Sequence, residues 1–253
     1  MKSLLASQNR PVLRGLAARG RVLLAFDFDG TLAPIVADPA RARLRPRTRR
    51  LLTEMARKYP CVVISGRRRA DVARRLVGIP LRQVLGNHGI EPSPALPAAR
   101  RSVRSWLACL KPRLERVAGI VFDNKGASLA IHYRKARNRP AALKAILAAT
   151  AGLADARALM GLLAVDLLPV GAPNKATALQ SELRRLGCQA ALYLGDDQTD
   201  EDVFALSGSL PLLAVRVGCK RRSLAPYYLP SQGDVDALLA VLRAAGPGSP
   251  ERE

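Results

Sequence analysis

The stretch FDFDGTL, residues 26–32, places two carboxylates at the end of the apolar run VLLAF, residues 22–26. A short apolar run of this kind is typical of a buried strand in a parallel sheet. Side chains alternate along a strand, so Asp27 and Asp29 point to the same face if the strand continues to residue 29. Two carboxylates held that close repel each other, and a divalent cation is the simplest means of keeping them together.

Strand-like runs alternate with helical patterns towards both ends of the chain. Four further runs resemble strands: CVVISG (61–66), QVLGNHG (83–89), ALYLGDD (191–197) and PLLAVRVG (211–218). This alternation predicts an α/β fold with a Rossmann-like parallel sheet and helices on both faces. In such sheets the chemistry gathers where strands end, and FDFDG, ISGR, GNHG and LGDD all follow strand-like runs, so one crevice collects them.

The middle of the chain has a different pattern. It opens with PSPALPAA at 92–99, a segment rich in proline and small residues, as in a linker. Two helical patterns and three strand-like runs follow: a helix to about 116, strands at 119–126 and 127–134, a helix at about 139–151, and a strand at 159–169. We therefore predict a catalytic core formed by 1–91 and 170–253, with a smaller α+β cap domain inserted at 92–169.

The polar side chains at the predicted strand ends suit phosphoryl transfer. Two pairs of aspartates supply oxygen ligands there, Asp27 with Asp29 and Asp196 with Asp197. Such ligands suit Mg²⁺, which binds through a few carboxylates together with a substrate phosphate. The hydroxyl of Ser65 and the compact charge of Lys175 are both suited to phosphate oxygens. A carboxylate nucleophile with these partners indicates transfer through an aspartyl-phosphate.

The motifs also resemble those of a known family. FDFDGTL, SGR, a lysine before a helix and GDDQTDEDVF, in that order, resemble the four signature motifs of the haloacid dehalogenase superfamily of phosphatases. GNHGIE (86–91), KGASLAIHYR (125–134) and GDDQTDEDVF (195–204) resemble trehalose-6-phosphate phosphatases more closely. The resemblance extends over about residues 20–230. It implies a Mg²⁺-dependent phosphoric monoester hydrolase that converts trehalose 6-phosphate to trehalose and phosphate in trehalose biosynthesis.

The resemblance implies a role for each aspartate. Asp27 would attack phosphorus, and Asp29 would protonate the leaving sugar oxygen and then activate the hydrolytic water. Mg²⁺ would be held by the Asp27 carboxylate, the Asp29 backbone carbonyl and Asp196. Asp197 and Asp200 would lie close to the metal.

The resemblance also assigns residues to the phosphate and to the sugar. Phosphate oxygens would be held by Thr31, Ser65 and Lys175. The sugar would be recognised by four cap residues: Lys125, His132, Arg134 and Asp166. Strand alternation places His132 and Arg134 on one face.

Two positions depart from the family's pattern. The family commonly shows Glu-x-Arg-Pro where this chain has Asp166-Leu167-Leu168-Pro169, and Asn-Lys-Gly where it has Asn-Lys-Ala. Asp for Glu shortens the reach by one methylene, and Leu168 removes a guanidinium. The reaction class is unaffected, but the sugar stays open: the same chemistry on sucrose 6-phosphate or glucosyl-3-phosphoglycerate is the alternative. A phosphomutase is less favoured.

The net charge of +21, from 41 basic and 20 acidic residues, raises a different alternative. Such a charge attracts nucleic acid, acidic membranes or phosphorylated metabolites. The arginines are scattered, however, and aromatic residues are only 4% of the chain, which leaves few platforms for stacking bases. Composition bias is therefore the favoured interpretation, and we expect no nucleic-acid partner. A non-catalytic, basic nucleic-acid-binding protein is the distant alternative.

The remaining features predict a cytoplasmic protein. No apolar stretch approaches the ~20 residues of a membrane helix, so no membrane partner is expected. The N-terminus lacks an apolar signal region, and a short cytosolic lead-in is favoured over an organelle transit peptide. The four cysteines are far apart, as expected of buried thiols in a reducing compartment. The predicted partner is a small sugar phosphate, with a functional coupling to a trehalose-6-phosphate synthase.

Overall fold

The computed structural model describes residues 1–161, 163–220 and 222–245. The strands within these ranges are β1 (Lys2–Ser3), β2 (Val22–Phe26), β3 (Cys61–Ile64), β4 (Gln83–Leu85), β5 (Val121–Asn124), β6 (Leu129–His132), β7 (Ala156–Gly161), β8 (Ala164–Pro169), β9 (Ala190–Gly195), β10 (Leu212–Val217) and β11 (Tyr227–Leu229). The α-helices are α1 (Arg10–Ala17), α2 (Pro46–Lys58), α3 (Arg69–Arg75), α4 (Leu96–Leu114), α5 (Arg139–Thr150), α6 (Lys175–Leu186), α7 (Glu201–Phe204) and α8 (Asp234–Ala245). Within the described ranges, none of the helices has the length and apolar character needed to cross a bilayer.

Seven strands form a parallel sheet in the order β1-β11-β10-β9-β2-β3-β4. Every residue of the central strands β2 and β9 is buried, because helices cover both faces of the sheet. Apolar residues of α1, α2, α3 and α8 pack on one face, and those of α6 and α7 pack on the other. The predicted α/β fold with a parallel sheet is confirmed.

Four strands form a second, antiparallel sheet in the order β5-β6-β8-β7. Helices α4 and α5 cover one of its faces, where Trp106 and Ile146 pack with Leu129, Ile131 and Val165. The residues that alternate with these along the strands, among them His132 and Asp166, lie on the other face. The sheet takes its strands from residues 121–169, within the predicted cap, and the predicted insertion of an α+β unit agrees with this arrangement.

One predicted strand is wrong in form. The run at 159–169 was predicted as a single strand, but it contains the end of β7, a turn and the whole of β8, which pair antiparallel. Leu163 lies in this turn with φ of 58°, in the left-handed region. Apolar residues continue through the turn, so neither a polar residue nor a proline marks it in the sequence. Residue 162 lies outside the described residues.

Two other predicted strands end earlier than expected. β6 ends at His132, and β4 ends at Leu85 and is followed by a 3₁₀ turn at Asn87–Gly89; β2 ends at Phe26, where its apolar run ends. In each case polar side chains begin where ladder pairing ends. These early ends determine where the polar residues of the site point.

Candidate active site

The turn after β2 is shaped by Gly30. The Asp27 N–H continues the sheet by donating to the Leu194 carbonyl at 2.8 Å, and the chain then turns. Gly30 has φ of 77°, and a Cβ there would lie 2.1 Å from Oδ2 of Asp196. Only glycine therefore lets the carboxylate that follows β9 approach the turn that follows β2.

Lys175, at the first position of α6, joins two of the aspartates. Its side chain is buried, and Nζ donates to Oδ1 of Asp27 at 2.7 Å and to Oδ1 of Asp200 at 2.8 Å. Burial alone lowers the pKa of a lysine, but the charges of Asp200 and Asp27 outweigh it and raise the pKa of Lys175 above its ordinary value. The ammonium group is therefore fixed as a cation at the carboxyl edge of the sheet.

Asp200 accepts four hydrogen bonds. Oδ1 accepts from the Tyr193 hydroxyl at 2.6 Å as well as from Lys175, and Oδ2 accepts from the backbone N–H groups of Asp196 and Asp197, each at 2.9 Å. A carboxylate has about four acceptor sites, so Asp200 uses its full capacity within the protein. Its place is structural: it holds the loop after β9 and orients Lys175.

Three carboxylates are close enough to share a cation. Oxygens of Asp27, Asp196 and Asp200 lie within 4.8 Å of one another. Burial, opposed by the charge of Lys175, raises the pKa of Asp27 well above its ordinary value. Burial and then the charge of Asp200 raise the pKa of Asp196 to about 7.

This set fits a divalent cation. Clustered carboxylates whose ionised forms are disfavoured gain most from a bound positive charge, and oxygen donors at a sheet edge suit Mg²⁺. Because Asp200 is saturated by protein donors, Asp27 and Asp196 are the carboxylates that fit best as ligands.

Asp29 has a different charged partner from Asp27. Arg67 clamps its carboxylate with two bonds of 2.6 Å, from Nε to Oδ2 and from Nη2 to Oδ1. Strand alternation predicts a common direction for Asp27 and Asp29 only if the strand continues to residue 29, and this condition is not met because β2 ends at Phe26. Arg67 also donates to Asp71 at 3.0 Å. Arg67 is the arginine of the SGR motif, but it was not among the predicted site residues.

The two hydroxyl residues predicted to bind phosphate lie at the same edge of the sheet. Thr31 is fully buried, and its hydroxyl is 3.5 Å from Oδ1 of Asp196. Ser65 directly follows β3, and its Oγ accepts from the Arg67 N–H at 3.2 Å. Thr31 is therefore in contact with the acidic group, while Ser65 lies at the end of the neighbouring strand β3, beside the arginine that holds Asp29.

A second charged pair lies on the cap sheet. Nζ of Lys125 donates to Oδ1 of Asp166 at 2.8 Å, and both side chains are largely buried. Burial would raise the pKa of Asp166, but the charge and hydrogen bond of Lys125, together with His88 and His132, lower that pKa. His132 lies on the same face, with Nε2 4.0 Å from Oδ2 of Asp123.

Arg134 lies apart from this pair. Because β6 ends at His132, Arg134 falls in an exposed turn after the buried Tyr133. The prediction that alternation along one strand places His132 and Arg134 on a common face is therefore wrong. The assignment of Arg134 to the sugar stays a prediction.

Asn87 ties the cap to the core. Its Oδ1 accepts from the Ser128 hydroxyl at 2.6 Å, and its Nδ2 donates to the Lys125 carbonyl at 3.1 Å. Asn87 is fully buried and has φ of 49°. The GNHG segment thus fixes the turn between β5 and β6 above the ends of β3 and β4.

Arg157 makes a second link between cap and core. Nη2 donates to Oδ2 of Asp202 at 2.9 Å, and Asn174 donates to the same oxygen at 3.1 Å. Arg157 lies directly opposite Leu168 in the pairing of β7 with β8. The strand paired with β8 therefore carries a guanidinium directly opposite Leu168, the position at which the family commonly has an arginine.

Arg216 supports the loop that carries Asp196. It is buried on β10, donates to the backbone carbonyl of Asp196, and donates through Nη1 to Oε1 of Glu201 at 2.7 Å. No motif in the sequence marks this arginine; only its place in an apolar strand, where a buried charge requires partners, distinguishes it.

Comparisons with known proteins agree with this geometry. A family model described as trehalose-phosphatase matches residues 25–232. A trehalose-phosphate phosphatase from Mycobacterium avium is 37% identical over 210 residues, which cover 75% of this chain and 52% of that protein. One from Mycobacterium ulcerans is 34% identical over 203 residues, covering 74% and 52%. The chain spans about half the length of the curated relatives it matches.

The fold also matches solved structures. The C-terminal domain of a trehalose-6-phosphate phosphatase from C. albicans superposes with a TM-score of 0.78 at 24% identity, covering 93% of this chain and 97% of that one. At this identity the match concerns the fold alone.

Proposed function

The chain belongs to the trehalose-phosphatase family, and from that premise we propose that it hydrolyses trehalose 6-phosphate to trehalose and phosphate through an aspartyl-phosphate. The observation that carries the proposal is the buried Lys175, bonded to Asp27 at 2.7 Å and to Asp200 at 2.8 Å beside Asp196. Asp27, which is oriented by the ammonium group of Lys175 and lies next to the carboxylate of Asp196, is suited to attack on phosphorus.

Asp27 is the proposed nucleophile. Lys175 holds its Oδ1, which orients the carboxylate and favours its ionised form. An ammonium group has three donors, and two of those on Lys175 are used by Asp27 and Asp200. The third is proposed to bind a phosphate oxygen, together with the hydroxyls of Thr31 and Ser65.

Mg²⁺ is the proposed cofactor. Asp27 and Asp196 would hold it, with the Asp29 backbone carbonyl as a further ligand, while Asp197 and Asp200 support them. When bound, the cation offsets the carboxylate charges and polarises the phosphoryl group. The acidic group with raised pKa values supports a divalent cation, and the choice of Mg²⁺ follows from the family.

Asp29 is the proposed acid and base. A sugar alkoxide is a poor leaving group, so a positioned proton donor contributes about 10²- to 10⁴-fold in rate. Arg67 restricts the Asp29 carboxylate to one orientation through its two bonds of 2.6 Å. Donation to the leaving oxygen requires Asp29 to exchange one of these bonds.

The cap is proposed to recognise the sugar through the Lys125–Asp166 pair and His132, and through Arg134 in the exposed turn after β6. Asp166 and Leu168, which depart from the family's pattern, leave one alternative open: the same chemistry on another sugar phosphate, such as sucrose 6-phosphate or glucosyl-3-phosphoglycerate. The two sheets support the proposed division into a core of 1–91 and 170–253 and a cap of 92–169; the last eight residues, 246–253, lie outside the described part.

The cellular setting is part of the proposal. All four cysteines are free, which suits a reducing cytoplasm. The prediction that they are buried holds for Cys61 but is wrong for Cys109 and Cys219, which are exposed. A trehalose-6-phosphate synthase would supply the substrate, and coupling to such an enzyme is proposed on that chemistry alone. Catalysis accounts for the acidic site without a nucleic-acid partner.

Release of phosphate from trehalose 6-phosphate tests the proposal. The purified chain with Mg²⁺ should release phosphate, and activity should be lost when EDTA is added. Asp27→Asn should lower turnover by several orders of magnitude, since it removes the nucleophile. Activity retained in Asp27→Asn, or unchanged in EDTA, would contradict the assignment.

A further inference from the structure

His88 is a buried histidine whose ring lies at the seam between core and cap. It is 5% exposed, and within the described part of the chain neither Nδ1 nor Nε2 has a hydrogen-bond partner. Its own N–H donates to the Ser65 carbonyl at 2.9 Å, so its backbone is tied to the loop predicted to bind phosphate. Its neighbour Asn87 binds the cap.

The ring packs directly against that loop. A Cβ on Gly66 would lie 2.7 Å from Cε1 of His88 and 2.9 Å from Nε2. A glycine at 66 is therefore required for the imidazole to reach the backbone beside Ser65. His88 also has φ of 60°, a conformation that L residues rarely adopt. Such strain is typical of residues held for a functional purpose.

Two charged pairs act on the ring. One is Lys125 with Asp166 in the cap, and the other is Lys175 with Asp200 in the core. Burial lowers the pKa of His88 to about 3. The imidazole is therefore neutral at physiological pH and offers one donor and one acceptor.

The free donor and acceptor of the ring select a class of ligand. A buried donor or acceptor left without a partner is costly, so a ligand that satisfies both nitrogens is favoured. A phosphate group offers only acceptors once it is ionised, whereas a hydroxyl group donates and accepts. His88 also lies between the loop of Ser65, to which its N–H is bonded, and the cap residues that Asn87 binds.

Building on the proposed function, we propose that His88 binds a hydroxyl group of the phosphorylated sugar ring and so distinguishes a sugar phosphate from phosphate alone. The hydroxyl reaches the ring when the cap lifts, because the cap and Gly66 cover both nitrogens. Asn87, on the adjacent residue, then closes the cap over the bound sugar.

The test measures ligand binding in an Asp27→Asn background, where turnover does not interfere. Titration calorimetry with Mg²⁺ gives the Kd of trehalose 6-phosphate and of inorganic phosphate. Adding His88→Leu should raise the Kd of trehalose 6-phosphate about tenfold, the equivalent of one net hydrogen bond, and should change that of phosphate less than about twofold. His88→Asn keeps a donor and an acceptor and tolerates positive φ, so it should restore most of the affinity.

The outcomes separate this inference from the proposed function. Unchanged affinity for trehalose 6-phosphate in His88→Leu overturns the inference, as does an equal loss for both ligands, which would mean that His88 only shapes the phosphate loop. No detectable binding of trehalose 6-phosphate to Asp27→Asn also overturns it. If the wild-type chain releases no phosphate but His88→Leu still weakens trehalose 6-phosphate selectively, the proposed function fails and the inference stands.

Discussion

Replacing Lys175 with methionine should destabilise the protein strongly at neutral pH. The side chain of Lys175 is 3% exposed, and its two partners, Asp27 and Asp200, are 6% and 0% exposed. Methionine fills a similar volume but leaves two buried carboxylates without their cation. Removing one partner of a buried ion pair costs about 3–5 kcal/mol, a large part of the ~5–15 kcal/mol that stabilises an ordinary domain.

The pH dependence of this loss identifies its cause. The pKa of Asp27 is already raised by burial, and losing Lys175 raises it further. A carboxyl group whose folded pKa lies above its unfolded value destabilises the fold at high pH, and the penalty shrinks as the pH falls through the folded pKa. The deficit of Lys175→Met relative to wild type should therefore decrease from pH 8 to pH 6, by up to about 1.4 kcal/mol per pH unit. Millimolar Mg²⁺ should recover part of it.

Urea unfolding followed by far-UV circular dichroism measures the deficit. Lys144→Met is the matched control, because Lys144 is exposed on α5 and the same substitution there should change the free energy of unfolding by less than about 0.5 kcal/mol. A deficit for Lys175→Met no larger than that of the control, or one independent of pH, would refute the reasoning that Lys175 neutralises a buried acidic group.

Three further substitutions test separate parts of the site. Arg67→Lys cannot form the two-bonded clamp on Asp29, so kcat for trehalose 6-phosphate should fall about tenfold in steady-state assays; an unchanged kcat would show that the clamp is dispensable. In the unfolded chain His88 binds a proton below pH 6.5, whereas in the folded chain, where its pKa is about 3, it does not. The free energy of unfolding of wild type should therefore fall by about 2 kcal/mol between pH 6.5 and 5 because of this residue. His88→Leu should remove that part of the acid sensitivity of the fold. Equal urea midpoint shifts in both proteins over that range would contradict this. Arg157→Ala should lower the unfolding free energy by less than about 1 kcal/mol, because its pair with Asp202 is partly exposed; a loss above about 3 kcal/mol would show that this link holds the cap in place.

The sheet and the gathering of the site could be predicted from the sequence because both depend on local patterns. Apolar runs that end in polar motifs identify parallel strands, and parallel strands bring their carboxyl ends to one edge. Asp27 and Asp196, which follow neighbouring parallel strands, therefore lie close together.

Finer features depended on where strands end and which side chains meet across the chain. Alternation along a strand does not reach Asp29 and misassigned Arg134, because ladder pairing stops before each of them. Asp200 accepts from two backbone groups close to it in sequence, at 196 and 197, but also from Lys175, which only the folded chain brings to it. The ring nitrogens of His88 have no hydrogen-bond partner among the described residues, and a sequence pattern cannot show that a partner is absent.

Relative activity on four sugar phosphates tests whether the cap of this chain recognises trehalose 6-phosphate. The measurement is kcat/KM with Mg²⁺ for trehalose 6-phosphate, sucrose 6-phosphate, glucose 6-phosphate and glucosyl-3-phosphoglycerate, with Asp27→Asn as the inactive control. The account predicts that trehalose 6-phosphate is preferred by about 100-fold or more, since buried polar groups of the cap would be left unpaired by the wrong sugar. Equal values across the four substrates, or a preference for another of them, would contradict the claim that this cap reads trehalose 6-phosphate.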